Sequence, residues 1–436
     1  MGVFHLAWFL NGYSVSHWHG SYAGINKSEW ARPDLYVDLT QSLERAGFDA
    51  LFIEDTAMIE DTYGSSMETT LKYGIMAPKN DPMPLVPLLS YQSRHIGIIS
   101  TVSTIQYHPF LAARLGATLD HLTEGRFGFN VVTSVSHRVA QNFGYDAHLA
   151  HAERYAMAQE WMDAVTALWE SWEPDALVLD EEAPLFADHT KVHPVHFEGK
   201  YFKTRGPLST VPGPQRRPVI AQAGSSGPGR DLAARHADMM LALANTPEGM
   251  KEVRADMHRR LRSYGRDPGQ FKILFMCQVY LGEDDEDARA GHAREEAVRT
   301  SPEGLIRQLW TMSYASGGEV DYAQYDLDAP VPSILGNGET TTMKALLADA
   351  GTRTLRDMLS GPNKYGYDFI GSSDSVAAQM GELMAEVGGD GYLIFGSTRR
   401  TKIAEIADGL APALRRRGLI RDGYDRGTFR ENLLAF

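Results

Sequence analysis

Eight times along its 436 residues the chain passes through a short stretch that is apolar throughout and then an amphipathic stretch of helical period. The apolar stretches are 3–10, 48–53, 96–103, 126–133, 218–223, 238–244, 271–281 and 391–395. The helical ones are 34–46, 85–93, 108–124, 151–172, 229–236, 247–264, 284–299 and 402–417. Strands this short with no polar alternation are buried on both faces, and a helix between successive strands makes them pair in parallel. Eight such units predict an α/β fold, a closed (β/α)8 TIM barrel. A doubly wound sheet uses the same units, and the count of eight favours the barrel. Three stretches interrupt the alternation, at 56–81, 173–217 and 300–372. Insertions of that length are commonly functional. They are expected to wall a deep pocket on a single barrel domain spanning 1–436.

Composition narrows the function. A formal charge of −14 argues against nucleic acid or an anionic membrane as partner, since both select concentrated Lys and Arg. A hydrophobic fraction of 43% excludes a disordered chain, and a lone cysteine excludes a disulfide framework or a multi-thiolate metal site. No apolar run reaches the ~20 residues that span a bilayer. The start, MGVFHLAWFL, has neither the basic region nor the cleavage site of a signal peptide. A soluble cytoplasmic enzyme is expected.

Residues able to carry chemistry fall at the strand ends. In PVIAQAGSSGPGR (218–230) a strand ends at Ala223, a Gly/Ser turn follows, and a helix begins near Pro228. Helix-start amides beside the Ser225 and Ser226 hydroxyls suit a phosphate dianion, although an ordinary glycine-rich turn reads the same. Asn130, Thr133 and Ser134 end the fourth strand, and Thr101 and Ser103 share one side of the third. Buried polar ends need partners, either neighbours or a ligand. Glu54 and Asp55 end the second strand, and the opposite facing of adjacent strand residues argues against a shared metal. His151 and Tyr155, at i and i+4, share a helix face that suits an anion or solvent. His17 and His19, after the first strand, have no evident third metal ligand and are candidate acids, bases or substrate contacts.

Four longer strings, FDALFIEDTAMIEDTYG (48–64), HPFLAARLGATLDHLTEGRFGFNVVTS (108–134), NFGYDAHLAHAERY (142–155) and PVIAQAGSSGPGRDLAARHA (218–237), occur in one order. The chain thereby resembles the flavin-dependent two-component monooxygenases of the bacterial luciferase-like superfamily, in the branch of nitrilotriacetate, long-chain alkane and dibenzothiophene-sulfone monooxygenases. The resemblance implies a TIM barrel that binds reduced FMN (FMNH2) supplied by a separate NAD(P)H:FMN reductase. It further implies O2 activation through a flavin peroxide, a small organic substrate such as an organosulfur or heterocyclic compound, and a homo-oligomer, dimer or tetramer. By motif position, Asp55, Thr101, Ser103 and Ser134 would surround the isoalloxazine, and His151, Tyr155, Ser225 and Ser226 would hold the phosphate. Trp8, Phe9 and Phe52 are expected to form an apolar substrate wall. Alkane and sulfone members carry a histidine in the insertion before the last strand. Here that stretch reads TMSYASGGEVDY (311–322), and no histidine follows His292. Ser313, Tyr314, or the pair His17 and His19 as catalytic acid and base, is expected in its place. Rival readings are a deazaflavin-dependent oxidoreductase of the same superfamily, a glycoside hydrolase barrel and a non-catalytic flavin-binding barrel.

Overall fold

The structure, a computed structural model, describes residues 2–15, 29–339, 343–344, 346–347, 350–361 and 366–436. The candidate catalytic residues His17 and His19 lie outside the described residues. Among those described, eight parallel strands form the barrel: β1 (His5–Leu10), β2 (Ala50–Ile53), β3 (Gly97–Ser103), β4 (Phe127–Val132), β5 (Val219–Gln222), β6 (Met239–Ala242), β7 (Lys272–Leu281) and β8 (Gly391–Phe395). They run in order β6-β5-β4-β3-β2-β1-β8-β7, and the β6–β7 pairing closes the ring. Strands β2, β3, β5 and β6 are buried at every position, which is why they read as largely apolar runs, with polar residues such as Thr101, Ser103 and Gln222 toward the C-terminal ends of β3 and β5.

Side-chain caps set the helix starts. The hydroxyls of Ser226, Thr246, Ser301 and Ser372 each accept an N–H three residues on, opening the helices Gly227–His236, Pro247–Ser263, Pro302–Ala315 and Ser373–Val387. The last of these was not expected. Sequence periodicity assigned the seventh unit's helix to 284–299, but Asp285–Arg299 packs on β7 and on an added strand, Tyr367–Gly371, that pairs Cys277–Leu281. Ser373–Val387 instead fills the shell position, between Pro247–Ser263 and Ala411–Arg416. Its buried stripe of Val376, Ala377, Met380, Leu383, Met384 and Val387 has the helical spacing of a core-facing element.

The insertions divide between the two ends of the barrel. Segments 56–81 and 300–372 stand at the C-terminal ends of the strands, where a second hydrophobic cluster including Leu305, Leu309, Met312 and Tyr322 is built from the latter. The 173–217 segment departs from expectation. It carries two short antiparallel hairpins and lies along the outside of helix His151–Trp169. There the Glu160 carboxylate accepts the N–H groups of Lys200, Tyr201 and Phe202 at 2.7–2.8 Å. The segment precedes β5 and so arrives at the N-terminal end of the barrel.

That end is plugged by the chain's own tail. Phe429 and Leu433, on helix Phe429–Leu433, join the interior cluster of Ala50, Phe52, Ile99 and Leu274. A Cβ on Gly97 would lie 2.5 Å from the Phe429 ring, so the close approach requires glycine there. No described helix is long and apolar enough to cross a membrane.

Candidate active site

A cavity of about 700 Å3 opens at the C-terminal ends of the strands, in the range of small-molecule and cofactor sites. Its walls include Asp55, Thr101, Ser134, His151, Tyr155, Ser225 and Ser226, which are seven of the eight expected flavin-contacting residues. The eighth, Ser103, lies just behind, with its Oγ 2.7 Å from that of Ser134. Ser134 itself has a φ of +58°, in the left-handed region, which turns the chain sharply off the end of β4.

One side of the cavity is built for an anion. Ser226 Oγ caps the helix by accepting from Gly229 N at 3.2 Å. Pro228 has no N–H and Arg230 N donates to Ser226 O, so the helix start offers the Gly227 amide and its dipole rather than a row of amides. Tyr155 hydrogen-bonds with Ser226 and Thr133, and burial raises its pKa so that it stays a phenol. Gly224 is needed for this close packing. A Cβ there would come within 2.6 Å of the Tyr155 hydroxyl and 2.5 Å of Gln222 Nε2. His151 stacks obliquely on Tyr155, with ring centroids 5.0 Å apart. Burial first, then Arg154 and Lys344, lower its pKa.

Arg154 is the residue that sequence reasoning missed. It is buried, donates Nη1–H to Ser134 O at 2.7 Å, and its Nη2 bonds the carbonyls of Asn337 and Gly338. Its Nε has no partner, and none of these partners is a carboxylate. A buried guanidinium in that state is ready for an oxyanion. Its position at i+3 from His151, inside HAERY, was a helical-spacing signal.

The wall formed by β3 and β4 is polar but uncharged at depth. Thr101 Oγ1 donates to Ile53 O at 2.9 Å and accepts from Asn130 Nδ2 at 3.0 Å. The Asn130 Oδ1 acceptor is left buried without a partner, so this wall lacks one N–H donor. The residues therefore fit an FMN-like ligand at both ends: an N–H-bearing ring on Asn130 and Thr101, and a phosphate beside Arg154, Ser225 and Ser226.

Asp55 and Glu54 both line the cavity, contrary to the opposite facing expected of strand neighbours, because β2 ends at Ile53 and alternation stops there. Glu54 is paired with Lys79 at 2.5 Å. Asp55 has a pKa pushed up to about 7, mainly by burial, with Glu54 and Asp81 adding to it and Lys79 opposing. Among the described residues, no group of three or more His, Cys, Asp or Glu is placed to hold a metal ion.

Above these walls the 300–372 insertion contributes Thr311, Tyr314, Gly338 and Glu339. Of the residues expected to replace the family histidine, Tyr314 faces the cavity and hydrogen-bonds Thr56. Ser313 turns away: its Oγ bonds Leu309 O and Tyr322 N, both at 3.1 Å, and the residue is fully buried. Of the expected apolar wall only Phe9 lines the cavity. Phe52 packs in the barrel interior, and Trp8 belongs to the cluster under the helix shell. Met76, Leu243, Met276 and Phe395 are among the other apolar residues that line it.

Comparison with known proteins agrees with this arrangement. Residues 13–391 match the model of a family described as luciferase-like monooxygenase. The chain is 34% identical over 407 residues to the dimethyl-sulfide monooxygenase of Hyphomicrobium sulfonivorans, which covers 92% of this chain and 84% of that protein. A solved long-chain alkane monooxygenase superposes with a TM-score of 0.85 at 31% identity, covering 99% of this chain and 96% of that one. A riboflavin lyase solved with modified FMN and riboflavin gives a TM-score of 0.84 at 27% identity, covering 100% and 96%.

Proposed function

This chain belongs to the luciferase-like monooxygenase family and is a flavin-dependent monooxygenase, and from that premise we propose a specific reaction. It takes reduced FMN (FMNH2) from a separate NAD(P)H:FMN reductase and uses O2 to oxygenate a small, uncharged organosulfur or heterocyclic compound. The observation that carries this reading is the chemistry of one cavity: a buried Arg154 whose Nε–H has no partner beside the Ser225–Ser226 turn, an Asn130 Oδ1 acceptor without a donor, and an apolar lining around them.

When bound, reduced flavin supplies the electron pair that activates O2. The chain's own residues do the rest. Arg154, His151, Tyr155, Ser225 and Ser226 bind the phosphate, while Asn130 and Thr101 orient the ring, with Ser103 fixing Ser134 beside it. The roof around Tyr314 and Gly338 excludes water from the reacting centre. Asp55 exchanges a proton at its carboxylate near neutral pH, and the buried Tyr314 hydroxyl remains protonated as a donor. Met76, Met276 and Phe395 contact the substrate. Glu54, Asp55 and Glu339 on the same walls disfavour a polycarboxylate substrate by like-charge repulsion. The barrel and its insertions act as a single domain, and the enzyme works as a homo-oligomer.

The test joins FMN fluorescence quenching to a coupled assay with NADH, FMN, an FMN reductase and dialkyl sulfides or sulfur heterocycles under 18O2. Saturable quenching and 18O in the product are expected. Quenching with only the O2 uptake of the reductase alone, across that panel, would overturn the oxygenase assignment to these substrates.

A further inference from the structure

At the opposite end of the barrel lies a second cavity, of about 710 Å3, formed where the 173–217 insertion, two shell helices, the loop that holds Arg266 and the C-terminal tail meet. Five arginines line it: Arg216, Arg217, Arg235, Arg266 and Arg430. In a chain of net charge −14 that concentration of cations needs a reason. Three of the five are neutralised, Arg217 by Glu170 at 2.8 Å, Arg235 by Asp163 at 2.8 Å, and Arg430 by Asp238.

Arg216 and Arg266 are not. Arg216 donates to Trp172 O at 2.8 Å, and Arg266 to the carbonyls of Ala234 and Ala237 at 2.9 and 2.6 Å. Carbonyl partners satisfy N–H groups without pairing the charge, which for Arg266 is offset only in part by Asp238 on the same wall. The backbone at Arg216 also has a φ of +58°, an unusual conformation for a residue of this size. His236 also stands on the cavity wall. Its pKa is pushed down to about 3, first by burial and then by Arg235, Arg266 and Arg217, although Asp163 lies 3.7 Å away.

We propose that this basal cavity is an anion site, separate from the flavin mouth, that takes the phosphate group of a small phosphorylated molecule against Arg216 and Arg266. Each planar guanidinium on this one cavity wall offers the forked donors that a phosphate oxygen set accepts, and the polar walls hold its charge in a partly enclosed space. Because Arg216 ends the 173–217 insertion and Arg430 belongs to the tail helix, an occupant would tie together two segments that the barrel strands do not fix.

Inorganic phosphate and pyrophosphate are the probes. Each is titrated calorimetrically into the full-length protein at constant ionic strength, with and without saturating FMN, so that binding at the mouth is separated from binding at the base. The expected result is saturable pyrophosphate binding that FMN does not displace. Arg216→Gln should weaken it at least tenfold and leave FMN affinity unchanged. Arg266→Gln should act alike; because Arg266 also caps a helix, its melting curve is recorded beside the titration, and Arg216→Gln carries the decision if that curve shifts. Displacement by FMN, or pyrophosphate affinity unaltered in Arg216→Gln, would overturn the proposal. So would heats no larger than those of sodium chloride at equal ionic strength, which would mean a cavity that screens its charge with solvent ions alone.

Discussion

The two ends of this barrel use buried polar groups in opposite ways. At the tail-plugged end, Asp49 accepts from Leu6 N at 3.0 Å and from Arg421 Nε at 3.1 Å, and lies 3.1 Å from His5 Nδ1. Arg421 in turn reaches Asn432 Oδ1 and O at 3.2 and 3.0 Å, so the Asp49–Arg421 pair is completed by protein, with His5 Nε2 beside it left without a partner. At the mouth, Arg154 Nε and Asn130 Oδ1 are equally buried and have no partner. Burying a polar group without a partner costs stability, and of the groups left so, Arg154 and Asn130 are the two whose residues line the mouth cavity, where a ligand can complete them. The closed network stabilises the fold, and the open one is reserved for a ligand.

If that division is right, substitutions at the closed end should cost stability and leave ligand affinity alone. The largest effect is expected for Phe429→Ala. Removing the ring leaves a void beside Gly97, which has no side chain to fill it, and should destabilise by about 3–5 kcal/mol. Urea denaturation measures this, and FMN affinity of the folded fraction should be unchanged. Next is Asp49→Asn, which strands Arg421 and should cost about 3 kcal/mol. The Asp49 carboxyl has a lowered pKa: burial alone would raise it, but His5, Arg421 and the Leu6 N–H outweigh burial. Its stabilisation is therefore complete above the ordinary carboxylate pKa of about 3.9 and is lost as pH falls through the lower folded value. Wild-type acid unfolding should show that loss, and Asp49→Asn should show less of it.

Substitutions at the open end should do the reverse. Ser226→Asp keeps a good helix cap, so the melting temperature should barely move. A carboxylate beside the phosphate site should nevertheless weaken FMN binding roughly ten- to hundredfold, read by fluorescence quenching. Unchanged affinity would place the phosphate elsewhere in the cavity. Tyr314→Phe removes only the hydroxyl that meets Thr56 and should lower turnover about tenfold at constant FMN affinity. A larger loss in His17→Ala or His19→Ala than in Tyr314→Phe would return the proton-transfer role to that loop.

The open end was also the more legible one in sequence, because strand ends announce themselves. Thr101, Asn130 and Ser134 are polar residues at the close of otherwise apolar runs, and the Gly/Ser turn before Gly227–His236 lies within one short segment. Arg154 and Tyr314 were harder to read. One is a cation among helix residues that all look surface-like, and the other is brought over the mouth by a fold of 300–372 that no local period encodes. The basal arginines come from the insertion, one helix end, a loop and the tail, so only the closed barrel gathers them. The helix Ser373–Val387 had a clear apolar stripe, but 284–299 had already satisfied the eight-unit count.

The subtlest test concerns Asp55, where the two uses of buried charge meet. Its pKa of about 7 lies well above the ordinary carboxylate value, with burial as the main cause. The folded protein therefore holds a proton that the unfolded chain releases from about pH 4 upward. Without ligand, stability should fall as pH rises from about 4 to 7 and then level off, the opposite of the Asp49 trend. Asp55→Asn cannot ionise and should lose that slope while keeping the Glu54–Lys79 pair, so its urea midpoint at pH 8 should lie above that of the wild type relative to pH 5. Turnover should separate the two roles further: wild-type activity that rises through pH 7 and goes flat in Asp55→Asn identifies a base. Parallel stability curves for the two proteins would instead mean that Asp55 is solvated like any surface carboxylate, and the mouth would hold one fewer group kept open for its ligand.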